Sequence, residues 1–133
     1  MVTKSSILGL IAALAVVLIA VSVVGEDADF QIPKIGTVEE SGFSQSCVET
    51  GCYTPSVLTI KSGTVVTMTN TDPTGIHTFT SGTVDGFTPS PDGIFNSGVL
   101  MSGDALDRKF YQKGTFDYYC KLHTWMTGKI IVE

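Results

Sequence analysis

The sequence is poor in basic residues and in histidine. Of its 133 residues, eight are lysine or arginine and two are histidine, against 13 aspartates and glutamates. The phosphates of nucleic acids require clustered lysine and arginine, so this shortage of positive charge argues against nucleic acid as a partner. The negative charge suits a soluble domain that attracts basic partners, and it suits equally well a domain whose charge serves only solubility.

Charged residues are also scarce at the start of the chain. Lys4 is the only one among the first 24 residues, and residues 7–24 are apolar apart from Gly9 and Ser22. This run predicts a hydrophobic helix of about one bilayer span. We interpret residues 1–25 as a signal peptide or a signal anchor, and the length of the run favours the anchor. Both place the rest of the chain outside the cytoplasm because Lys4 stays inside, and cleavage would make the protein secreted rather than membrane-bound.

Residues 26–133 have room for one folded domain and show no convincing helical pattern. Short stretches rich in Val, Ile, Thr, Phe and Tyr alternate with Gly, Pro, Asn and Asp, which predicts an all-β domain. The glycines and prolines of residues 81–94 predict a long surface loop. A two-sheet sandwich fits this pattern, and its end loops can hold a site. The predicted strands are residues 56–60, 64–69, 76–80, 94–100, 106–111, 115–120 and 128–132.

Three potential metal ligands share the short loop between the last two predicted strands. Cys120, His123 and Met126 are each separated from the next by two residues. Thiolate, imidazole and thioether are soft or borderline ligands, which favour copper or zinc over magnesium or calcium. Zinc rarely recruits a thioether, whereas two histidines, one cysteine and a weak axial methionine form the electron-transfer type of copper site. The loop therefore predicts a single copper ion that changes between Cu(I) and Cu(II).

Such a site needs a second imidazole, and His77 is the only other histidine of the chain. It follows a dense turn signal at residues 70–75 and lies at the start of a predicted strand. We therefore predict His77, Cys120, His123 and Met126 as the metal ligands. Type 2 and trinuclear copper centres are built largely from histidine, so this chain alone is not a multicopper oxidase.

Residues 114–132 resemble the C-terminal ligand segment of the plastocyanin and amicyanin branch of the cupredoxins. The Cys-x-x-His-x-x-Met spacing is that of the short amicyanin-type loop, and the nearest subgroup is that of membrane-anchored or secreted archaeal cupredoxins. The resemblance implies an antiparallel Greek-key β-sandwich over residues 26–133 with a type 1, or blue, copper site. His77, Cys120 and His123 would be its equatorial ligands and Met126 its axial one. Plastocyanins usually follow the first histidine with an asparagine that ties two ligand loops together, and this chain has Thr78.

The other two cysteines, Cys47 and Cys52, lie upstream of the ligand loop. If Cys120 binds the metal, we interpret these two as a disulfide, which a location outside the cytoplasm permits. A second metal site is the alternative. The residues between them include no histidine and no further cysteine, so the disulfide is favoured.

The family's usual task is electron shuttling, so the leading hypothesis is a monomeric one-electron carrier between redox protein partners. The alternative is a redox enzyme that acts on a nitrogen oxide or a peroxide at a solvent-accessible copper, and the sequence leaves enzymatic activity open. Copper storage or delivery is a weaker alternative because Met-rich and His-rich tracts are missing. Trp125, between two predicted ligands, caps the loop or belongs to an apolar docking patch around His123.

Overall fold

The computed structural model describes residues 31–133, which form nine strands and a short 3₁₀ helix, Gln45–Cys47. The predicted signal peptide or signal anchor, residues 1–25, lies outside the described residues. Within residues 31–133, no helix has the length and apolar character to span a membrane. The strands are β1 Lys34–Thr37, β2 Tyr53–Thr54, β3 Val57–Ile60, β4 Thr64–Thr69, β5 Thr80–Asp85, β6 Thr88–Asn96, β7 Ala105–Phe110, β8 Gly114–Tyr119 and β9 Thr127–Val132.

The strands form two sheets, with the orders β2-β1-β4-β7 and β3-β9-β8-β5-β6. The predicted all-β fold with two sheets is thereby confirmed. Both sheets are mixed, because β1 pairs with β4 and β3 pairs with β9 in parallel. The remaining strand pairs are antiparallel, as predicted.

The core consists of apolar side chains that alternate along the strands. Val66 and Met68 of β4 are fully buried, while Val65 and Thr67 between and beside them are partly exposed. This period of two places one face of the strand in the core. The ring of Phe110 in β7 lies 5.7 Å from that of Phe95 in β6, a strand of the other sheet. Aromatic packing therefore joins the two sheets.

The predicted surface loop at residues 81–94 is wrong, because the structure forms the hairpin of β5 and β6 there. Pro89 and Pro91, which suggested a loop, belong to β6 and lie opposite Val84 and Gly82 of β5. Proline lacks the backbone donor of a strand ladder and is tolerated on an edge strand, and β6 is the edge of its sheet. Strand composition alone did not reveal which strand would be an edge.

Two features of this topology place the predicted ligands together. The antiparallel pair of β8 and β9 ends with Tyr119 opposite Thr127, so residues 120–126 form a loop at the end of the sheet. His77 lies between β4 and β5 and forms an isolated bridge with Leu100. Both segments thus reach the same end of the molecule.

Candidate metal centre

The side chains of His77, Cys120 and His123 converge at this end of the sheets. One nitrogen of each histidine and the cysteine sulfur all lie within 4.8 Å of one another. The Sγ atom of Cys120 is 3.9 Å from Nδ1 of His77 and 3.6 Å from Nδ1 of His123. Both imidazoles therefore present Nδ1 toward the one thiol, so the three side chains have a donor atom each at a common centre.

The ligand loop closes on itself through its backbone. The Cys120 N–H donates to the Met126 carbonyl over 3.1 Å, and the Met126 N–H donates to the His123 carbonyl over 2.9 Å. Met126 is fully buried in the core cluster that also contains Cys120. These bonds fix the loop that carries three of the predicted ligands, and the axial role of the Met126 thioether stays a prediction.

A carboxylate that was not among the predicted site residues supports His77 on the side of the ring away from Cys120. Nε2 of His77 lies 2.7 Å from Oδ2 of Asp72, and both side chains are fully buried. An ionised carboxylate only accepts hydrogen bonds, so Nε2 carries the proton and the Nδ1 lone pair points to Cys120. A carboxylate that orients a ligating histidine in this way fixes its tautomer and increases its basicity.

Asp72 is itself held in place by several donors. Its Oδ1 accepts hydrogen bonds from the Glu40 N–H, the Thr74 N–H and the Thr74 hydroxyl. Burial alone would raise the pKa of Asp72, but the hydrogen bonds from Thr74 and His77 outweigh it and lower the pKa to about 2. The carboxyl group is therefore ionised at neutral pH, as its role toward His77 requires.

The turn before His77 is rigid because of Asn70, a fully buried residue directly after β4. Its side-chain amide donates to the carbonyls of Gly75 and Leu100, each over 2.8 Å. Its Oδ1 accepts hydrogen bonds from the Thr37 hydroxyl and from the Asp72 N–H. The turn that the sequence predicted at residues 70–75 is thus a polar network that fixes Asp72 and, through it, His77.

The thiol of Cys120 is fully buried and is surrounded by hydrogen-bond donors. The Thr78 N–H points to its sulfur over 3.4 Å. Burial alone would raise the pKa of Cys120, but hydrogen bonds from backbone N–H groups, and from His77 when both of its ring nitrogens are protonated, outweigh it and lower the pKa. The thiolate is the form that binds metal, so this environment favours ligation.

Thr78 also connects the two ligand segments through its side chain. Its hydroxyl accepts a hydrogen bond over 2.9 Å from the N–H of Lys121, the residue directly after Cys120. The departure from the asparagine that plastocyanins usually have therefore does not leave the loops unconnected. A threonine with one backbone and one side-chain bond links His77 to Cys120 here.

The donor set suits copper. Two imidazole nitrogens and one thiolate surround a common centre. A structural zinc site usually has a fourth cysteine or histidine ligand, and the only other cysteines of the chain, Cys47 and Cys52, are bonded to each other. Cys47 and Cys52 are joined in a disulfide, and Cys120 is the one free cysteine. The residues present thus fit a three-coordinate core of the His₂Cys type, with Met126 as the predicted axial ligand.

Comparison with known proteins agrees with this chemistry. Residues 49–133 match the copper-binding proteins of the plastocyanin/azurin family. The chain belongs to this family. Its members are cupredoxins that bind copper, and His77, Cys120 and His123 form the group that can hold the ion in this cupredoxin.

Individual relatives support the assignment. The chain is 39% identical over 82 residues to amicyanin-alpha of Methylorubrum extorquens, over 60% of this chain and 62% of that relative. The match therefore spans about three fifths of the length of the relative. A purple cupredoxin from Nitrosopumilus maritimus has 30% identity and a TM-score of 0.63, over 76% of this chain and 99% of that chain. A copper-containing nitrite reductase from Thermus scotoductus has 25% identity and a TM-score of 0.55, over 77% of this chain and 22% of that chain.

Trp125 turns out to be half-buried against the rest of the cupredoxin domain. Its Nε1–H donates to the carbonyl of Ser41 over 2.8 Å, and its ring lies 5.3 Å from that of His123. This arrangement agrees with the interpretation of Trp125 as a cap of the ligand loop. Ser41 belongs to a polar stretch that had no predicted role, and no local sequence signal connects two residues that are 84 positions apart.

Proposed function

We propose that this cupredoxin is a one-electron carrier that works between redox protein partners outside the cytoplasm. The observation that carries the proposal is that hydrogen bonds within the protein already hold the ligands in place. Asp72 fixes the ring of His77, Thr78 fixes the sulfur of Cys120, and the ligand loop closes on itself. Bound copper supplies the change between Cu(I) and Cu(II). A protein frame that resists changes in ligand position keeps the cost of this change low.

The burial of the ligands supports a carrier over an enzyme. His77, Cys120 and Met126 are fully buried, and only His123 is partly exposed. A small substrate that had to reach the metal would therefore meet protein on three sides. An electron can leave through the His123 ring without any such approach. The redox enzyme acting on a nitrogen oxide or a peroxide remains the alternative that the experiment below tests.

Apolar side chains near the ligands favour protein partners. Leu122 precedes His123 and is 45% exposed, and Ile76 precedes His77 and is 39% exposed. Val99 and Met101 are also exposed and flank Leu100, whose backbone pairs with His77. Exposed apolar residues that cluster around a site are typical of an interaction surface. We infer that redox partners dock at this end of the molecule.

The location outside the cytoplasm is supported by the disulfide and by the predicted signal peptide or anchor. Disulfides persist in oxidising compartments and are rare in the cytosol. The Cys47–Cys52 bond is buried, with both residues less than 10% exposed. Mass spectrometry of protein from cells, alkylated without reductant, should leave both cysteines unlabelled, whereas labelling of both would contradict the proposed location.

Copper binding is tested by adding Cu(II) to the purified chain and recording visible absorption and electron paramagnetic resonance. We expect an intense thiolate-to-copper charge-transfer band, which Cys120→Ser should abolish. A matched control is Ser46→Ala, an exposed change that should keep the band. A colourless wild type, or a Cys120→Ser variant that keeps the colour, would contradict the proposal.

The carrier and the enzyme are then separated with the copper-loaded protein. A carrier should exchange electrons rapidly with protein or inorganic redox reagents and show no turnover with nitrite, nitric oxide or peroxide. Sustained turnover of one of these small molecules by the purified protein alone would favour the enzyme.

A further inference from the structure

One face of the His123 ring lies against backbone. His123 turns Nδ1 toward Cys120, and Cε1 is the ring atom between Nδ1 and Nε2. A Cβ atom placed on Gly42 would lie 2.7 Å from Cε1 and 2.9 Å from Nε2 of this ring. Nδ1 would lie 3.3 Å away as well, and such distances are shorter than van der Waals contact, so the Gly42 backbone is packed over one face of the imidazole beside Cε1.

Gly42 belongs to residues 39–43, which we call the cover. The cover contacts residues of the site at three points. The Ser41 carbonyl accepts the Trp125 Nε1–H over 2.8 Å. The Glu40 N–H donates to the Asp72 carboxylate over 3.1 Å. The Ser41 hydroxyl lies 3.5 Å from Nε2 of His77, and Ser41 is 1% exposed. The cover thus contacts residues that support both histidines.

The anchoring of the cover continues on either side of it. The Val38 N–H donates to the Cys52 carbonyl over 3.0 Å, and the disulfide joins Cys52 to Cys47. Residues 38–52 therefore leave β1 and return next to it as a closed excursion whose ends are fixed. Within it, Glu40 has a φ of 62°, a left-handed conformation that a residue other than glycine rarely adopts. The Asp72 carboxylate bonds the N–H of this same residue and holds the turn.

We propose that the cover closes one face of the His123 imidazole and that Gly42 is the position that permits this closure. Gly42 has no left-handed φ that would itself require glycine, so the lack of a side chain is required by the space next to His123. This inference rests on the proposed ligation by His123. It adds that small molecules are kept from the site on the His123 side and that a redox partner meets the cover together with the ring.

The closure has a consequence for metal exchange. A ring packed 5.1 Å from the His77 ring and 5.3 Å from the Trp125 ring has little freedom to turn away from a new methyl group at residue 42, with or without metal. In Gly42→Ala the cover must therefore lift, and release of copper to a chelator should become faster by roughly fivefold, the factor that corresponds to one net hydrogen bond. Trp125→Phe keeps an aromatic ring but removes the Nε1–H bond to Ser41, and it should accelerate release in the same direction.

The test uses the full chain in two states. In the copper-loaded state, the rate of copper release to an excess of chelator is followed by the loss of the visible band. In the metal-free state, acrylamide quenching of Trp125, the only tryptophan of the chain, reports how well the cover shields the indole. Gly42→Ala should increase quenching. Ser44→Thr is the matched control, since it adds one methyl group at an exposed position nearby and keeps the hydroxyl that caps the 3₁₀ helix.

The possible outcomes separate the inference from the proposed function. Faster release in Gly42→Ala and Trp125→Phe, with an unchanged control, supports the cover. A wild-type release rate in both variants, or unchanged quenching in Gly42→Ala, overturns it. If Gly42→Ala does not fold, Trp125→Phe decides through the release rate. A wild type that binds no copper refutes the proposed function, and quenching of the metal-free chain then decides the cover alone.

Discussion

The two histidines of the site differ in what supports them. His77 is fully buried, follows a turn fixed by Asn70, and donates its Nε2–H to the Asp72 carboxylate. His123 is partly exposed, lies in a seven-residue loop between β8 and β9, and has backbone against one face of its ring. One imidazole is positioned by a hydrogen bond to a buried carboxylate, and the other is positioned by packing at the surface.

The electrostatic surroundings of the two rings differ in the same sense. Burial lowers the pKa of both, and His77 lowers that of His123 further whenever His77 is protonated. For His77, hydrogen bonds to Cys120 and Asp72 outweigh burial and raise the pKa. His77 is therefore the strongly held, electron-rich ligand, and His123 is the ring through which the proposed electron exchange occurs.

The largest expected effect comes from removing the support of His77. Asp72→Ala takes away the acceptor of His77, Glu40 and Thr74 and leaves the Nε2–H of the buried His77 ring without its carboxylate partner. We expect a loss of about 3 kcal/mol in the free energy of unfolding, because a broken buried pair leaves an uncompensated polar group. Urea unfolding of the metal-free protein measures it.

The control for this variant is Asp85→Ala, at an exposed residue of β5. A surface change of this kind should stay within about 0.5 kcal/mol of the wild type. If Asp72→Ala lowered the free energy of unfolding no more than this control, the hydrogen bond to His77 would contribute nothing to stability. The two histidines would then not differ in how strongly they are supported.

A smaller effect is expected from the disulfide, which anchors the His123 side. The bond closes a short loop, with Cys47 and Cys52 only five positions apart. The double change Cys47→Ala and Cys52→Ala should lower the free energy of unfolding by about 2 kcal/mol, because loop-closure entropy grows slowly with loop length. It should also increase acrylamide quenching of Trp125, since the excursion that contains the cover loses its anchor.

Reduction of the wild-type disulfide provides the matched comparison for this double variant. The reduced wild type should lose a similar free energy and show the same increase in quenching. A variant that is destabilised while its quenching is unchanged would mean that the disulfide supports the core alone. His77 and His123 would then still differ in what contacts their rings, but the disulfide would not be part of the support of His123.

The sequence predicts one side of this contrast better than the other. The ligand loop is readable because Cys120, His123 and Met126 lie within seven residues, and the predicted strand at residues 64–69 has the bounds of β4. Asp72 was missed because an aspartate before a proline is an ordinary turn residue. The cover was missed because its contacts with Trp125 and His123 join positions about 80 residues apart, which local spacing cannot reveal.

The smallest effect that we predict concerns Thr78, which follows His77 in the chain and is bonded to the loop that carries His123. Its hydroxyl accepts the Lys121 N–H, and its own N–H points to Cys120. Thr78→Val keeps the shape and the N–H but removes the hydroxyl, so the Lys121 N–H loses its partner. We expect a loss of about 1 kcal/mol in the free energy of unfolding. We also expect a shifted charge-transfer band of the copper-loaded protein, because the backbone directly after Cys120 is no longer bonded to the side chain of residue 78. Thr115→Val, an exposed change on β8, should alter neither quantity. An unshifted band in Thr78→Val would show that each histidine segment is rigid by itself, so that the link between them contributes stability without setting the geometry of the thiolate.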